Sequence, residues 1–236
     1  MNGTPAIGSQ PARAPGLALF DLDGTLLPLD SDHAFGEHLI ALGWAESESH
    51  RAGNDAFYAD YLAGRLDMTA YVAFATRPLL GRSRDELGAA LDRFMAETIG
   101  PAIRPEARAL VEAHRVRGDR LALVTATNDV VTAPIAAAFG IGHLIATRLA
   151  RDAEGRVTGA IDGRPSYREG KVARVAEWLA CDGLAWSDFG RITVYGDSPA
   201  DLPLLERATQ PVATNPSPAL EAVARERGWR VLNLFK

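Results

Sequence analysis

Four short apolar runs constrain the fold of this chain more than any other feature. Each run is too short for a helix and is flanked by polar or turn residues, as is typical of strands buried on both faces of a sheet. The runs are LALF (17–20), LALV (121–124), ITVY (192–195) and VLNL (231–234). Stretches with helical apolar spacing alternate with them, at 105–117, 129–139, 171–180 and 217–227. This alternation predicts an α/β fold, a Rossmann-like doubly wound parallel sheet with helices on both faces.

The segment from 32 to 100 interrupts the alternation. It contains no convincing strand, and its helical windows predict a helical insert after the first strand. The windows lie at 33–42, 54–63, 68–75 and 84–97. The insert's small core is predicted to come from large apolar side chains, namely Phe57, Tyr58, Tyr61, Leu62, Tyr71, Phe74, Leu91 and Phe94.

These patterns predict how the chain is organised. Residues 16–31 and 101–236 are expected to form the α/β core, and 32–100 the helical insert. Residues 1–15 are rich in Pro, Gly and Ala and lack the apolar region of a secretory signal, so we expect a flexible tail there. The stretch 155–163 (GRVTGAIDG) is typical of a short hairpin.

Composition excludes several classes of partner. The chain of 236 residues has 25 Lys and Arg against 30 Asp and Glu, a net charge of −5, which offers no basic surface for nucleic acid or an anionic membrane. No apolar run approaches the roughly 18 residues that cross a bilayer. The single cysteine, Cys181, excludes an intramolecular disulfide. We therefore expect a cytoplasmic monomer or homodimer that acts on a small molecule.

Polar side chains follow three of the predicted strands. The first strand runs into Asp21, Asp23 and Gly24, the second into 125–128 (TATN), and the third into 197–201 (DSPAD). The carboxyl ends of parallel strands meet at one crevice, where open α/β sheets bind ligands. The sequence therefore predicts a site at this edge of the sheet, within reach of Lys171 at a helix start.

Carboxylates, a hydroxyl and a lysine in one crevice suit phosphoryl transfer. A carboxylate that approaches a phosphate dianion is repelled by it, and a hard cation and a lysine can offset that repulsion. Mg²⁺ commonly takes one or two protein carboxylates, a number that Asp21 and Asp197 fit. Thr125 and its neighbouring backbone N–H groups can hold phosphate oxygens, and Gly24 allows a close backbone approach.

With these residues the chain resembles the haloacid dehalogenase superfamily of phosphatases. The resemblance rests on DLDGTLL (21–27), Thr125, Lys171 and GDSPADLPLL (196–205), which match the four motifs of the superfamily in order. It implies a Mg²⁺-dependent phosphomonoester hydrolase with a phospho-aspartyl intermediate. The implied roles are Asp21 as nucleophile, Asp23 as general acid and base, Asp21, Asp23 and Asp197 as the metal site, Thr125, Ala126 and Lys171 as phosphate ligands, and Gly24 and Asp201 in support.

The insert and its surroundings are similar to the phosphoserine-phosphatase-like branch, whose helical cap follows the first strand. The segments PLDSDHAF, TATND, REGKVAR and NPSPALE are similar to a bacterial group of which some members act on histidinol phosphate. Two positions depart from phosphoserine phosphatases: Ala200 replaces an asparagine, and Ala73 falls where a cap arginine binds the serine carboxylate. Asp30 matches the acid that contacts the substrate ammonium, and Asn128 is a further candidate contact. The resemblance thus implies an amino-alcohol phosphate such as histidinol phosphate.

Other interpretations remain open at this stage. Phosphoserine phosphatase is the nearest alternative. A dehalogenase needs neither Mg²⁺ nor a second acid, which Asp23 and Asp197 disfavour, and an Asp-phosphorylated signalling domain is about half this length. Among single residues, Asp30 has the alternative of capping the first helix of the insert, and Asp201 that of stabilising a helix start.

Overall fold

A computed structural model describes residues 16–235, and the predicted tail, 1–15, lies outside this range. Six strands form one parallel sheet in the spatial order β3-β2-β1-β6-β7-β8. Their bounds are β1 Gly16–Phe20, β2 Arg120–Asn128, β3 Leu144–Thr147, β6 Arg191–Gly196, β7 Gln210–Thr214 and β8 Arg230–Leu232. Strands β4 (Leu149–Arg151) and β5 (Val157–Ile161) form a separate antiparallel hairpin. The predicted sheet is confirmed, and its two additional strands are β3 and β7.

Helices cover both faces of the sheet. The helices are α1 Ser31–Ala41, α2 Ser47–Leu62, α3 Met68–Thr76, α4 Arg84–Phe94, α5 Gly100–Ala102, α6 Pro105–Val116, α7 Asp129–Ala138, α8 Glu169–Cys181, α9 Leu202–Leu205 and α10 Pro218–Glu226. Alternate residues of the central strand β1 enter two cores. Ala18 and Phe20 pack in the core that includes α6 and α7, whereas Leu17 and Leu19 pack in the core that includes α8, α9 and α10. The strand before the site is therefore buried on both faces, as the continuous apolar run predicts.

All elements between β1 and β2 are helical, which confirms the predicted insert after the first strand. We call 31–102 the helical segment; the predicted boundaries 32 and 100 of a separate domain stay a prediction. Side-chain caps begin α1, α2, α3 and α4, among them Ser83, which forms a capping box with Glu86 at the start of α4. Phe35 and Phe94 are buried with ring centroids 5.0 Å apart, in the same apolar cluster as Phe20 of β1. The helical segment thus shares a core with one face of the sheet.

The prediction is wrong for one member of the insert's small core, Tyr58. Tyr58 is 47% exposed, although its spacing on α2 predicts burial. The predicted hairpin is present as β4 and β5, and its Gly159 lies against Leu80 and Thr76 of the helical segment.

Across residues 16–235, no helix combines the length and apolar character needed to cross a membrane.

Candidate active site

Asp21 comes directly after β1 and is fixed by its neighbours. Its backbone N–H donates to the carbonyl of Tyr195 on β6 at 3.0 Å, which extends the ladder between the two strands by one bond. The residue as a whole is 7% exposed. The Lys171 ammonium, in the first turn of α8, donates to Asp21 Oδ1 at 2.7 Å and to Asp201 Oδ1 at 2.6 Å. The structure therefore brings together three of the predicted site residues in a buried cluster.

Burial and mutual repulsion dominate the electrostatics of this cluster. Burial raises the pKa of Asp21 to about 6, with Lys171 opposing the change and Asp201 adding to it. Burial, then Asp21 and Asp201, raise the pKa of Asp197 to about 9. Burial alone would lower the pKa of Lys171, but Asp201 and Asp21 outweigh it and raise that pKa. Lys171 is thus a protonated lysine with 2% exposure and not a solvated one.

The same carboxylates form a possible metal site. One oxygen from each of Asp21, Asp197 and Asp201 can be chosen so that all three lie within 4.8 Å of one another. Oxygen donors of this kind suit a hard divalent cation. Burial is the main cause of the raised pKa of Asp197, and Asp21 and Asp201 add a repulsion that a cation would relieve. These residues therefore fit Mg²⁺. The sequence analysis gave Asp21, Asp23 and Asp197 as the metal site. The side chain of Asp23 does not belong to the group of three carboxylates found here, whose third member is Asp201.

Asp23 is held by two donors instead. Its Oδ1 accepts from the Ser31 N–H at 2.7 Å, and its Oδ2 accepts from the Thr127 hydroxyl at 2.9 Å. Burial, followed by the negative charge of Asp30, raises the pKa of Asp23 well above its usual range. Asp23 is therefore suited to carry a proton near neutral pH, as a general acid must.

Thr125 and Thr127 lie at the end of β2. Thr125 is buried, and its hydroxyl oxygen accepts from the Thr127 N–H at 3.2 Å. Thr125 and Ala126 line the site cavity. Their role as phosphate ligands stays a prediction. The contact of Thr127 with Asp23 was not predicted, because it joins residues 104 positions apart in the chain.

Gly24 lets the loop after β1 pass close to Asp197. It has a φ of +74°, and a Cβ added there would overlap the Asp197 carboxylate. Asn215, which the sequence analysis did not assign to the site, supports this loop from the end of β7. Its amide donates to the Gly24 carbonyl at 2.8 Å and to the Thr25 carbonyl at 3.3 Å.

A cavity of about 310 Å³ lies between the strand ends and the helical segment. The strand-end part of its lining includes Asp21, Asp23, Lys171 and Asp197, and the helical part contains acidic, aromatic and apolar residues. The helical part comprises Asp30, Asp32, His33, Asn54, Phe57, Tyr58, Tyr61, Leu66, Met68 and Tyr71. No arginine is among the described residues that line the cavity.

The two predicted substrate residues differ in position. Asp30 lines the cavity, but its Oδ1 also accepts from the His33 N–H at 2.9 Å and caps α1. Asn128 does not line the cavity. Its amide oxygen caps α7, and its amide nitrogen donates to Asp32 Oδ1 at 3.1 Å. Asn128 thus lies behind Asp32, which does line the cavity.

The two positions that differ from phosphoserine phosphatases, Ala200 and Ala73, also lie in different places. Ala200 lines the cavity, but Ala73 is exposed on α3 and lies outside it. The interpretation of Ala73 as the site of a missing substrate-binding arginine is therefore wrong. The absence of arginine from the described cavity lining is the observation that bears on substrate charge.

Two further hydrogen bonds join α2 and the loop after it to the core beside the cavity. Tyr61 on α2 is hydrogen-bonded to Ser198 at 2.9 Å. The Arg168 guanidinium, just before α8, donates to the Gly64 carbonyl at 2.9 Å. Ser198 in turn donates its N–H and its hydroxyl to Asp201 Oδ2, each at 3.3 Å. Asp201 therefore both stabilises a helix start and binds Lys171.

Comparison with known proteins identifies the family. A sequence model of the haloacid dehalogenase-like hydrolases matches residues 18–206. The chain belongs to this family. The chain is also 43% identical to the histidinol-phosphatase of Neisseria meningitidis serogroup C over 92% of its own length and 98% of that protein. The prediction of a haloacid dehalogenase-type phosphatase is thereby confirmed.

Solved structures of related fold support the architecture of this family member. A protein of unknown function from Bordetella pertussis Tohama I is 48% identical, with a TM-score of 0.89 over 94% of this chain and all of that chain. A substrate-bound phosphoserine phosphatase has a TM-score of 0.66 at 17% identity, covering 94% of each chain. The second likeness concerns the fold alone.

Proposed function

We propose that this phosphatase hydrolyses an amino-alcohol phosphate, with histidinol phosphate as its preferred substrate. The charge of the cavity carries the proposal. Asp30 and Asp32 line its leaving-group side, the described residues of the lining include no arginine, and the lysine among them, Lys171, is already bonded to two carboxylates. A leaving group with a carboxylate would lie unpaired among these acids, which costs binding free energy, whereas an ammonium would be attracted. The 43% identity to a histidinol-phosphatase supports the same substrate.

Asp21 is the proposed nucleophile. The Asp21 oxygen that Lys171 does not hold attacks phosphorus, the bond between phosphorus and the ester oxygen breaks, and Asp23 gives its proton to the departing alkoxide. Asp23, now ionised, then takes a proton from water as the water oxygen attacks the phosphorus of phospho-Asp21. Inorganic phosphate leaves, and the Asp21 carboxylate is restored. Thr127 and Ser31 hold the Asp23 carboxyl in place for both proton transfers.

Lys171 and Thr125 are proposed to bind the phosphoryl group. Lys171 has hydrogen-bond capacity for a phosphoryl oxygen beyond its two carboxylate partners, since an ammonium has three donors. Asp201 keeps it oriented and protonated. The hydroxyl of Thr125 and the backbone N–H of Ala126 supply further donors at the end of β2.

Asp21, Asp197 and Asp201 are proposed to hold Mg²⁺, on which phosphatases of this family generally depend. The cation would supply positive charge that offsets the repulsion between the Asp21 carboxylate and the phosphate dianion. The donor set of three closely spaced carboxylate oxygens, from the buried Asp21 and Asp201 and the half-buried Asp197, is the feature of this chain that supports the assignment.

Asp30 is proposed to contact the substrate ammonium, because it lines the cavity and carries no cationic partner among residues 16–235. The cytoplasmic location, and the state of monomer or homodimer, stay predictions.

A comparison of phosphomonoesters with Mg²⁺ tests the substrate. We expect kcat/KM to be higher for histidinol phosphate than for phosphoserine, and Asp30→Ala to reduce hydrolysis of amine-bearing substrates more than that of p-nitrophenyl phosphate. If phosphoserine is the better substrate, the alternative of a phosphoserine phosphatase replaces this proposal. Halide release without Mg²⁺, or a stable phospho-aspartate without turnover, would instead favour the dehalogenase or the signalling domain.

A further inference from the structure

Lys171 is connected to the helical segment through both its side chain and its backbone. Its ammonium donates to Asp201 Oδ1 at 2.6 Å, and its backbone N–H, in the first turn of α8, donates to the Arg168 carbonyl at 3.0 Å. Asp201 continues through Ser198 to a residue of α2, and Arg168 bonds directly to the loop after α2. Two separate branches therefore lead from the end of α2 to the lysine of the site.

The side-chain branch begins at Tyr61 on α2. Its hydroxyl oxygen lies 2.9 Å from that of Ser198, and the Ser198 hydroxyl donates to Asp201 Oδ2 at 3.3 Å. A serine hydroxyl has one proton, and Asp201 accepts it, so the Tyr61 hydroxyl is the donor to Ser198. Ser198 and Asp201 are both buried. Hydrogen bonds in a buried chain strengthen one another, so Tyr61 helps to fix the carboxylate that binds Lys171.

The backbone branch passes through a strained residue. Arg168 precedes α8 with φ +51° and ψ −120°, a conformation that glycine adopts readily and other residues rarely do. Such strain persists only where the surrounding structure holds it. The Arg168 guanidinium donates to the Gly64 carbonyl at 2.9 Å, and the Tyr61 and Tyr167 ring centroids lie 6.1 Å apart beside it. Contact with the helical segment thus helps to hold the turn from which α8 and Lys171 start.

We propose that Tyr61 and Arg168 are positioning residues for Lys171, through which the helical segment contributes to binding of the phosphoryl group. Neither contact reaches the phosphoryl group itself. Without either one, Lys171 keeps its carboxylate partners, but its remaining donor is no longer held towards a phosphoryl oxygen. The inference rests on the proposed role of Lys171 as a phosphate ligand, and it does not depend on the identity of the leaving group.

Inorganic phosphate is the probe that tests this inference, because it has no leaving group and reports on the phosphoryl side of the site. Its inhibition constant is measured against p-nitrophenyl phosphate at saturating Mg²⁺. Tyr61→Phe and Arg168→Ala each remove one hydrogen bond, so this constant should rise about threefold to tenfold in each variant. A merely structural role would lower the free energy of unfolding, measured with urea, and leave the phosphate affinity of the folded protein unchanged.

Arg168→Gly separates the backbone from the side chain. It loses the same bond to Gly64, but glycine adopts a φ of +51° without strain, so the start of α8 no longer needs that bond. We therefore expect Arg168→Gly to bind inorganic phosphate at least about twofold more tightly than Arg168→Ala does.

Two neighbouring residues provide matched controls. Tyr58→Phe changes a tyrosine one turn earlier on α2 that is 47% exposed. Arg65→Ala changes an arginine next to Gly64 that forms an exposed ion pair with Asp60, within the helical segment. Neither change should alter the inhibition constant by more than about twofold.

Lys171→Met distinguishes failure of the proposed function from failure of this inference. An unchanged inhibition constant in that variant, or in Lys171→Gln if Lys171→Met does not fold, contradicts the proposed role of the lysine. If the lysine does bind phosphate, the inference is overturned when Tyr61→Phe and Arg168→Ala keep the affinity of the unaltered protein, or when the two controls lose as much. It is also overturned if Arg168→Gly binds phosphate no better than Arg168→Ala. Should Arg168→Ala fail to fold, Tyr61→Phe decides the question against Tyr58→Phe.

Discussion

Lys171 Nζ lies 2.7 Å from Asp21 Oδ1, and both side chains are almost wholly buried. The ion pair joins the start of α8 to the end of β1 across 150 positions of the chain. It has two consequences that can be measured separately: it holds the Asp21 carboxylate in its reactive, ionised form, and it compensates a buried charge in the folded protein.

Asp21→Asn should abolish turnover without unfolding the protein. The amide has nearly the same shape, but it cannot form the phospho-aspartyl intermediate, so kcat should fall at least about a thousandfold. Steady-state kinetics measure the loss of turnover, and circular dichroism of the same preparation shows whether the variant is folded. Activity close to that of the unaltered protein in a folded Asp21→Asn variant would contradict the proposed mechanism.

Lys171→Met should damage stability as well as activity. The change leaves Asp21 and Asp201 buried without their cation, and loss of one partner of a buried pair costs about 3–5 kcal/mol in the free energy of unfolding. Urea denaturation at neutral pH measures this loss. Arg225→Met is the matched control, since Arg225 forms an exposed ion pair with Glu221 and its loss should cost about 0.5 kcal/mol or less. Equal losses in the free energy of unfolding would show that the buried pair contributes no more to stability than an exposed pair does.

Asp197→Asn should weaken Mg²⁺ binding. Groups that merely support metal ligands alter affinity by about 10–100-fold, so we expect the Mg²⁺ dissociation constant to rise at least about tenfold. Isothermal titration calorimetry reports binding directly, and activity at graded Mg²⁺ reports its consequence. Ca²⁺ should support turnover poorly, because it prefers longer bonds and more ligands. Full activity in EDTA would refute the assignment of a metal to this cluster.

Asp32→Asn should stabilise the protein at alkaline pH. Burial and then Asp30 raise the pKa of Asp32 from 3.8 to about 7. A raised pKa favours the folded state most at low pH, and that contribution is lost as the pH rises from about 4 to about 7. The variant does not titrate there, so its stability relative to the unaltered protein should increase across this window and level off above it. Urea midpoints at pH 5 and pH 8 measure the difference. A larger gain at pH 5 than at pH 8 would contradict the raised pKa.

The sequence predicted the sheet and the strand-end acids because both depend on local patterns. Apolar runs of four residues specify strands buried on both faces, and such strands deliver Asp21, Thr125 and Asp197 to one edge. Strand β7 was missed because Pro211 and an exposed first residue obscure its short apolar run. Strand β3 has only four residues and no flanking motif.

The substrate side of the site could not be predicted in the same way. Helical periodicity marks Tyr58 and Tyr61 as apolar positions of α2, but it does not distinguish a side chain in a core from one that lines a cavity. The partners of Asp32 lie 39 and 96 positions away in the chain, and no local pattern joins them. The support of Gly24 by Asn215, across 191 positions, is equally invisible before folding.

The two-part lining of the cavity separates two kinds of evolutionary change. Residues proposed to handle the phosphoryl group come from strand ends and the start of α8, whereas the helical part of the lining falls within one continuous stretch, 30–71. Substitutions in that stretch that spare Tyr61 can therefore redirect the enzyme to another phosphomonoester while the nucleophile, its acid and its lysine keep their places. In such a lineage, substrate preference can change while every intermediate variant keeps its catalytic residues.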